Sequence, residues 1–179
     1  MADPRRRRAR GVVAPPDAPR PIGEVADGYI WRAFRRVVRD GGRIDAASPP
    51  ERLHDLRKRA KELRYLLECF QALYPDEVLR PSVKELKAFQ DNLGEYQDCQ
   101  VQAAALRNMA EQMIETGAAT ARTLMAMGRL ADAQERREAA ARAEFDERFT
   151  RFASSANRRR FASLTSRSKG RSEPEEEQT

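Results

Sequence analysis

His54, Arg57, Lys58, Lys61 and Arg64 stand at positions i, i+3, i+4, i+7 and i+10 of a single stretch of the chain. In a helix, at ~100° per residue, these five side chains occupy an arc of roughly 120°. Asp55 and Glu62 lie to the other side of Lys58, while Tyr65 sits in the middle of the arc. A helix that needed only solubility would more often mix its signs. From His54 to Arg64 the face would run ~15 Å along the axis, a ladder of cations rather than a pocket. Arginine clasps phosphate with two parallel N–H donors, and lysine adds a mobile point charge. The chemistry on offer is the gripping of a repeating polyanion, with affinity that falls steeply as salt rises.

Catalytic chemistry has no visible machinery. His54 is the only histidine, and its neighbours Asp55, Arg57 and Lys58 are not a metal-ligand set. The one Glu-x-x-His spacing, Glu51 to His54, stands alone, with no second such pair, cysteine pair or carboxylate cluster to make a zinc or iron site. Neither phosphate-cradling glycine loop is present, and no serine sits in a nucleophile elbow. The expectation is a protein with no catalytic residue, metal or cofactor, and so not an enzyme. His54 itself has two readings: a satisfied, half-buried helix residue, or a donor to phosphate oxygen beside Arg57 and Lys61.

The element that must position this face starts near Ser48. Ser48 is read as its N-cap, Pro49 and Pro50 as its first helical residues, and Glu51 as the closing member of a capping box. Leu53, Leu56, Ala60, Leu63, Leu67 and Phe70 recur at three- and four-residue steps and give it one buried side. A helix over 23–40 precedes it, with Val25, Tyr29, Phe34, Val37 and Val38 inward and Trp31 in the core. Arg32, Arg35, Arg36 and Arg39 face out, and Gly41-Gly42 ends the helix. After Tyr74-Pro75-Asp76, a third helix is predicted from Pro81-Ser82, with Leu86, Phe89 and Leu93 buried and Gly94 as a cap or close contact. A fourth, over 96–115, would bury Val101, Ala105, Leu106, Met109, Met113 and Ile114, with Asp98 capping it or pairing with a base. Gly117 and Gly128 would bracket a short segment. A last helix, 129–156, would use Leu130, Ala133, Ala140, Phe145, Phe149 and Phe152, with Glu138–Arg142 and Glu144–Arg148 as surface pairs.

Two blocks of this sequence resemble a known family. Leu53-His54, Leu56-Arg57-Lys58, Lys61, Leu63-Arg64-Tyr65 and Glu68 are similar to the L-H-x-L-R-K-x-x-K-x-L-R-Y-x-x-E signature of the conserved histidine α-helical domain, CHAD. Leu86 to Gly94, with Asp98 after it, resembles the family's L-K-x-L-Q-x-x-L-G-x-x-x-D segment, with Phe89 where leucine is usual. The resemblance spans about 22–155. It implies an all-α fold in which two four-helix bundles are related by pseudo-twofold symmetry, and a ligand, inorganic polyphosphate. Only the second half is expected here, because no second L-H-x-L-R segment stands upstream. Such an antiparallel four-helix-bundle-like half would bind through His54, Arg57, Lys58, Lys61 and Arg64, with Lys87 and, more weakly, Lys84 extending the ladder. A homodimer, or a partner half supplied by another gene, would restore a continuous groove.

Composition fits that reading. The chain has 179 residues, 40% hydrophobic and 35% charged, with a net charge of +6; an anionic partner is the first expectation. The organisation expected is a disordered basic and proline-rich leader over 1–21, the helical bundle over 22–156 and a disordered charged tail over 157–179. The leader is either a basic arm for the polyanion or, the preferred reading, inert. Cys69 and Cys99 are too few for a disulfide framework, and no apolar run approaches a membrane span. The expected setting is cytoplasmic, including polyphosphate granules, with no membrane partner. Two alternatives stand beside polyphosphate: a scaffold module that recruits another protein, and nonspecific nucleic-acid binding, which lacks a stacking platform.

Overall fold

The computed structural model describes residues 20–166. Helices α1 (Ile22–Gly41) and α2 (Pro50–Cys69) are followed by a 3-10 turn at Gln71–Leu73, then α3 (Asp76–Glu115), α4 (Ala121–Phe152) and α5 (Ser155–Leu164). No strand occurs among the described residues, so the all-α class holds. α1 and α2 run antiparallel, since Arg36 meets Glu62 and Asp40 meets Arg59. α3 and α4 form a second antiparallel hairpin, in which Glu95 meets Arg137 and Arg107 meets Glu135.

The arrangement follows from helix length. α3 has 40 residues, while α1 and α2 have 20 each. At 1.5 Å per residue α3 is ~60 Å long and outruns its neighbours by ~30 Å. The four-helix bundle therefore exists only where α1, α2, the first part of α3 and the last part of α4 lie side by side, with α5 packed against α1 and α3. Its core is built of rings and leucines. Phe34 stacks on Phe161 at 4.0 Å and Phe89 on Phe152 at 5.2 Å. The α2 stripe of Leu53, Leu56, Ala60, Leu63 and Leu67 is buried as its spacing requires, and Phe70 packs against its edge.

Several boundaries differ from the sequence reading. Ser48 does not cap α2: its hydroxyl donates to Asp45 Oδ1 and accepts from Asp45 N–H, closing a turn before the helix. The N-cap position falls on Pro49, which has no side-chain acceptor, so Ser48 stands one residue outside the helix and no capping box forms. The two helices expected across Gly94 are one. Pro81 lies inside α3, where it removes one early backbone bond, and Gly94 is an ordinary helical residue with nothing within 4 Å of a Cβ. Its penalty of about 1 kcal/mol is outweighed by the buried Leu93 and Tyr96 beside it. Asp98 is consequently exposed in mid-helix and caps nothing. Gly128 likewise lies within α4. Gly117 is the true stop: at φ 67° it accepts the left-handed turn that ends α3, with Ala118 N–H returning to Met113 O.

Four burial assignments are also corrected. Tyr29 is exposed beneath the Arg32 guanidinium, 4.7 Å from its ring, and Trp31 packs at the core's edge on Phe34. Val101, Ala105, Met109 and Ile114 are exposed, because among the described residues only α4 lies against the outer half of α3. Leu130 and Ala140 give way to Ala131 and Ala141 on α4, one position round the helix. Residues 157–164, placed by the sequence in the polar tail, belong to α5 (Ser155–Leu164), which buries Phe161 and Leu164. The remainder of that tail, and residues 1–19 of the leader, fall outside the described residues.

Candidate functional site

α2 presents three faces. The leucine stripe packs inward. Glu62 turns towards α1, where Arg36 Nη1 sits 3.2 Å from its carboxylate. The remaining face carries His54, Arg57, Lys58, Lys61, Arg64 and Tyr65, as the spacing predicts.

His54 is half-buried, and its Nδ1 lies 2.9 Å from Gln97 Oε1 on α3. The amide oxygen can only accept, so Nδ1 donates to it. Nε2 then offers a proton to a phosphate oxygen only in the imidazolium form. The first reading of His54, a satisfied and half-buried helix residue, therefore holds at Nδ1. Gln97 was missed from sequence; an amide in the middle of a helix carries no signal until the α2–α3 register is known.

Arg57 and Lys61 are half-buried, and among the described residues neither has a carboxylate within ion-pair distance. Their neighbours are lightly engaged. Lys58 Nζ stands 3.5 Å from Asp55 Oδ1, both side chains being mostly exposed. Arg64 Nε lies 3.2 Å from Glu68 Oε1, yet that nitrogen has no aligned hydrogen bond. The guanidinium also rests 5.3 Å from the Tyr65 ring. Exposed pairs of this kind are worth ~0–1 kcal/mol and yield readily to a multivalent anion. Lys58, Lys61, Glu62, Tyr65, Leu66 and Cys69 line a shallow depression of about 530 Å³ along the edge of this face.

Lys84 and Lys87 are exposed on α3. With His54 level with Gln97 on antiparallel helices, Arg64 and Lys87 are each ten residues further along, ~15 Å from that contact. They share a level in the bundle, and no contact joins them. The start of the ladder is held from outside α2. Arg142 on α4 donates to the backbone oxygens of Asp45 and Ser48, the latter at 3.3 Å, and fixes the turn that feeds α2. That use displaces the expected Glu138–Arg142 pair; Glu138 instead accepts from Gln100, while Glu144–Arg148 forms as foreseen at 3.0 Å.

The base of the bundle is tied by a buried polar pair. Tyr74 Oη donates to Asp27 Oδ1 at 2.7 Å. Burial, then the hydrogen bond to Asp27 and its negative charge, push the Tyr74 phenol far above its ordinary value. Near α2, the Ser48 hydroxyl and neighbouring backbone N–H groups hold the Asp45 carboxyl below its usual range, aided by Arg52. Cys69 is free and exposed; Cys99 is free and buried. No cluster of three metal-ligating side chains exists among the described residues, and none of their helices is long and apolar enough to cross a membrane.

A family model described as the CHAD domain matches residues 2–107. The match starts ahead of the stretch expected from the motifs and ends inside α3, leaving α4 and α5 beyond it. No curated protein matches the chain.

Proposed function

Because the chain belongs to the CHAD domain family, we propose that it binds inorganic polyphosphate along the outer face of α2 and catalyses no reaction. One observation carries this reading. Among the described residues Arg57 and Lys61 stand without acidic partners between His54 and Arg64, on a face whose acids are turned to α1 or only loosely engaged. Polyphosphate has roughly one charge per residue and no bases to read, so a row of cations suffices to recognise it. With four or five charges engaged, the log–log dependence of affinity on salt should have a slope of ~−3, by analogy with single-stranded nucleic acid.

The test compares long-chain polyphosphate with DNA of matched charge, for the native chain and for Arg57→Glu/Lys61→Glu/Arg64→Glu. A preference for polyphosphate that vanishes in the variant, with helicity intact by circular dichroism, supports the site. Equal binding of both polymers reduces it to nonspecific attraction, and binding of neither removes it. A second reading, a scaffold that meets another protein or a second copy of this chain, is favoured by the exposed Val101, Met109, Ile114, Met125 and Leu130 on the outer hairpin.

A further inference from the structure

On the opposite side of α2 from the proposed polyphosphate face, the seam with α1 encloses a recess of about 320 Å³. Its walls carry four arginines, Arg39 and Arg43 from α1 and its turn and Arg52 and Arg59 from α2, against two acids, Asp40 and Asp55. Asp40 is the pivot. Its carboxylate accepts from Arg39 Nε at 2.8 Å and from Arg39 Nη2 at 3.3 Å, and it also accepts from Arg59. The Asp40 side chain is only 13% exposed. One carboxylate therefore orients two guanidiniums and leaves most of their N–H donors unengaged, since each carries five. Asp55 faces Lys58 as well. Arg43 and Arg52 have no carboxylate within ion-pair distance among the described residues, and Arg52 Nη1 leans over the Arg43 carbonyl at 3.5 Å.

Like charges gathered into a concave seam repel one another unless an anion joins them. The nearest further acid, Asp45, feels the Arg52 charge but is engaged by the Ser48 hydroxyl and the Ala47 N–H of its own turn, and among the described residues it forms no ion pair with Arg43 or Arg52. The recess is also at the small end of ligand-site volumes, which suits a compact ion. We propose that this recess is a second anion site, selective for a terminal phosphate group, which carries more charge and more free oxygens than a phosphate inside a chain. Arg43 and Arg52 supply the binding charge, and Asp40 is a positioning residue that aims Arg39 and Arg59. The site does not depend on the polyphosphate reading of the α2 face, because it lies on the far side of the helix and uses other residues.

Calorimetric titration of the full chain at fixed ionic strength tests it, with tripolyphosphate, which has two ends, and cyclic trimetaphosphate, which has none. Tripolyphosphate should bind the native chain and the Arg57→Glu/Lys61→Glu/Arg64→Glu variant alike. It should bind Arg43→Gln/Arg52→Gln about tenfold or more weakly, the loss expected for charge-assisted hydrogen bonds. Trimetaphosphate should bind weakly to all three. Both substituted residues are exposed, so the glutamine variant should keep native helicity; Arg43→Lys/Arg52→Lys, which keeps the charge, should recover part of the affinity. Undiminished binding to the glutamine variant, equal binding of the cyclic ion, no tripolyphosphate binding at all, or loss in the α2-face variant would each overturn the site. Long-chain polyphosphate at equal concentration of chain ends separates the two sources of such a group. Sensitivity to Arg43→Gln/Arg52→Gln identifies a polymer terminus, and insensitivity a free short anion.

Discussion

Around Phe89 the α3–α4 hairpin is packed on every side, whereas around Met109 the same two helices touch only each other. The inner half meets α1, α2 and α5, and Phe89, Phe145 and Phe152 are at most 2% exposed. In the outer half Ala103, Met127 and Ala131 are buried along one narrow seam, while Val101, Met109 and Met125 are each more than half exposed. The apolar residues are not scarcer there; what is missing is a third helix to cover them. Burial is thus set by how many elements converge, and an apolar stripe records only which side would be covered. The functional consequence is a rigid block carrying α2 and both cationic surfaces, with a thinner arm projecting from it.

The sharpest way to break the comparison is Phe89→Ala. Phe89 touches three rings, stacking on Phe152 at 5.2 Å and lying 6.0 Å from Phe145 and 5.9 Å from Phe149. Losing it should lower stability by about 3–5 kcal/mol in urea unfolding. A loss below about 1 kcal/mol would mean that the inner block is no better packed than the arm.

Gly41→Ala comes next. A Cβ at Gly41 would lie 2.2 Å from the Phe149 ring, which cannot retreat without leaving Phe145, stacked on it at 5.9 Å. The close approach of α1 to α4 therefore requires glycine at this position, and alanine should cost about 1–3 kcal/mol by overpacking. Thermal unfolding with no change in midpoint would show that the two helices are free to separate there.

The same contrast explains which features were legible before the structure. α1 ends and α2 begins close to where their periodicity and punctuation place them, because the Gly41-Gly42 stop and the two prolines act locally, whereas α2 stops at Cys69, ahead of the expected break at Tyr74-Pro75-Asp76. The cation ladder on α2 was equally legible, since spacing alone sets which side chains share a face. Continuity of α3 through Pro81 and Gly94 was not, for those residues carry a modest helical penalty that distant packing overrides. α5 was hidden because Arg158, Arg159 and Arg160 dominate its sequence, and only Phe34 reveals what Phe161 is for. The His54–Gln97 bond and the arginine recess depend on register between helices, which no single helix encodes.

Gly128→Ala probes the arm with the opposite sign. Gly128 is exposed within α4, and nothing lies within 4 Å of where its Cβ would be. Unlike Gly41 it serves no contact, so the glycine contributes only the extra freedom of the unfolded chain and a weaker helix. Alanine should raise stability by about 0.5–1 kcal/mol, visible as a higher unfolding midpoint with unchanged denaturant dependence. It should leave polyphosphate affinity untouched, because the arm contributes no residue to either cationic surface. If the gain appears only at high protein concentration, the arm is covered by another copy of the chain, and the exposed stripe of Val101 and Met109 is its natural seat. If instead alanine destabilises the protein at every concentration, a contact at Gly128 exists in solution, and the arm is not the bare two-helix projection that its burial pattern describes.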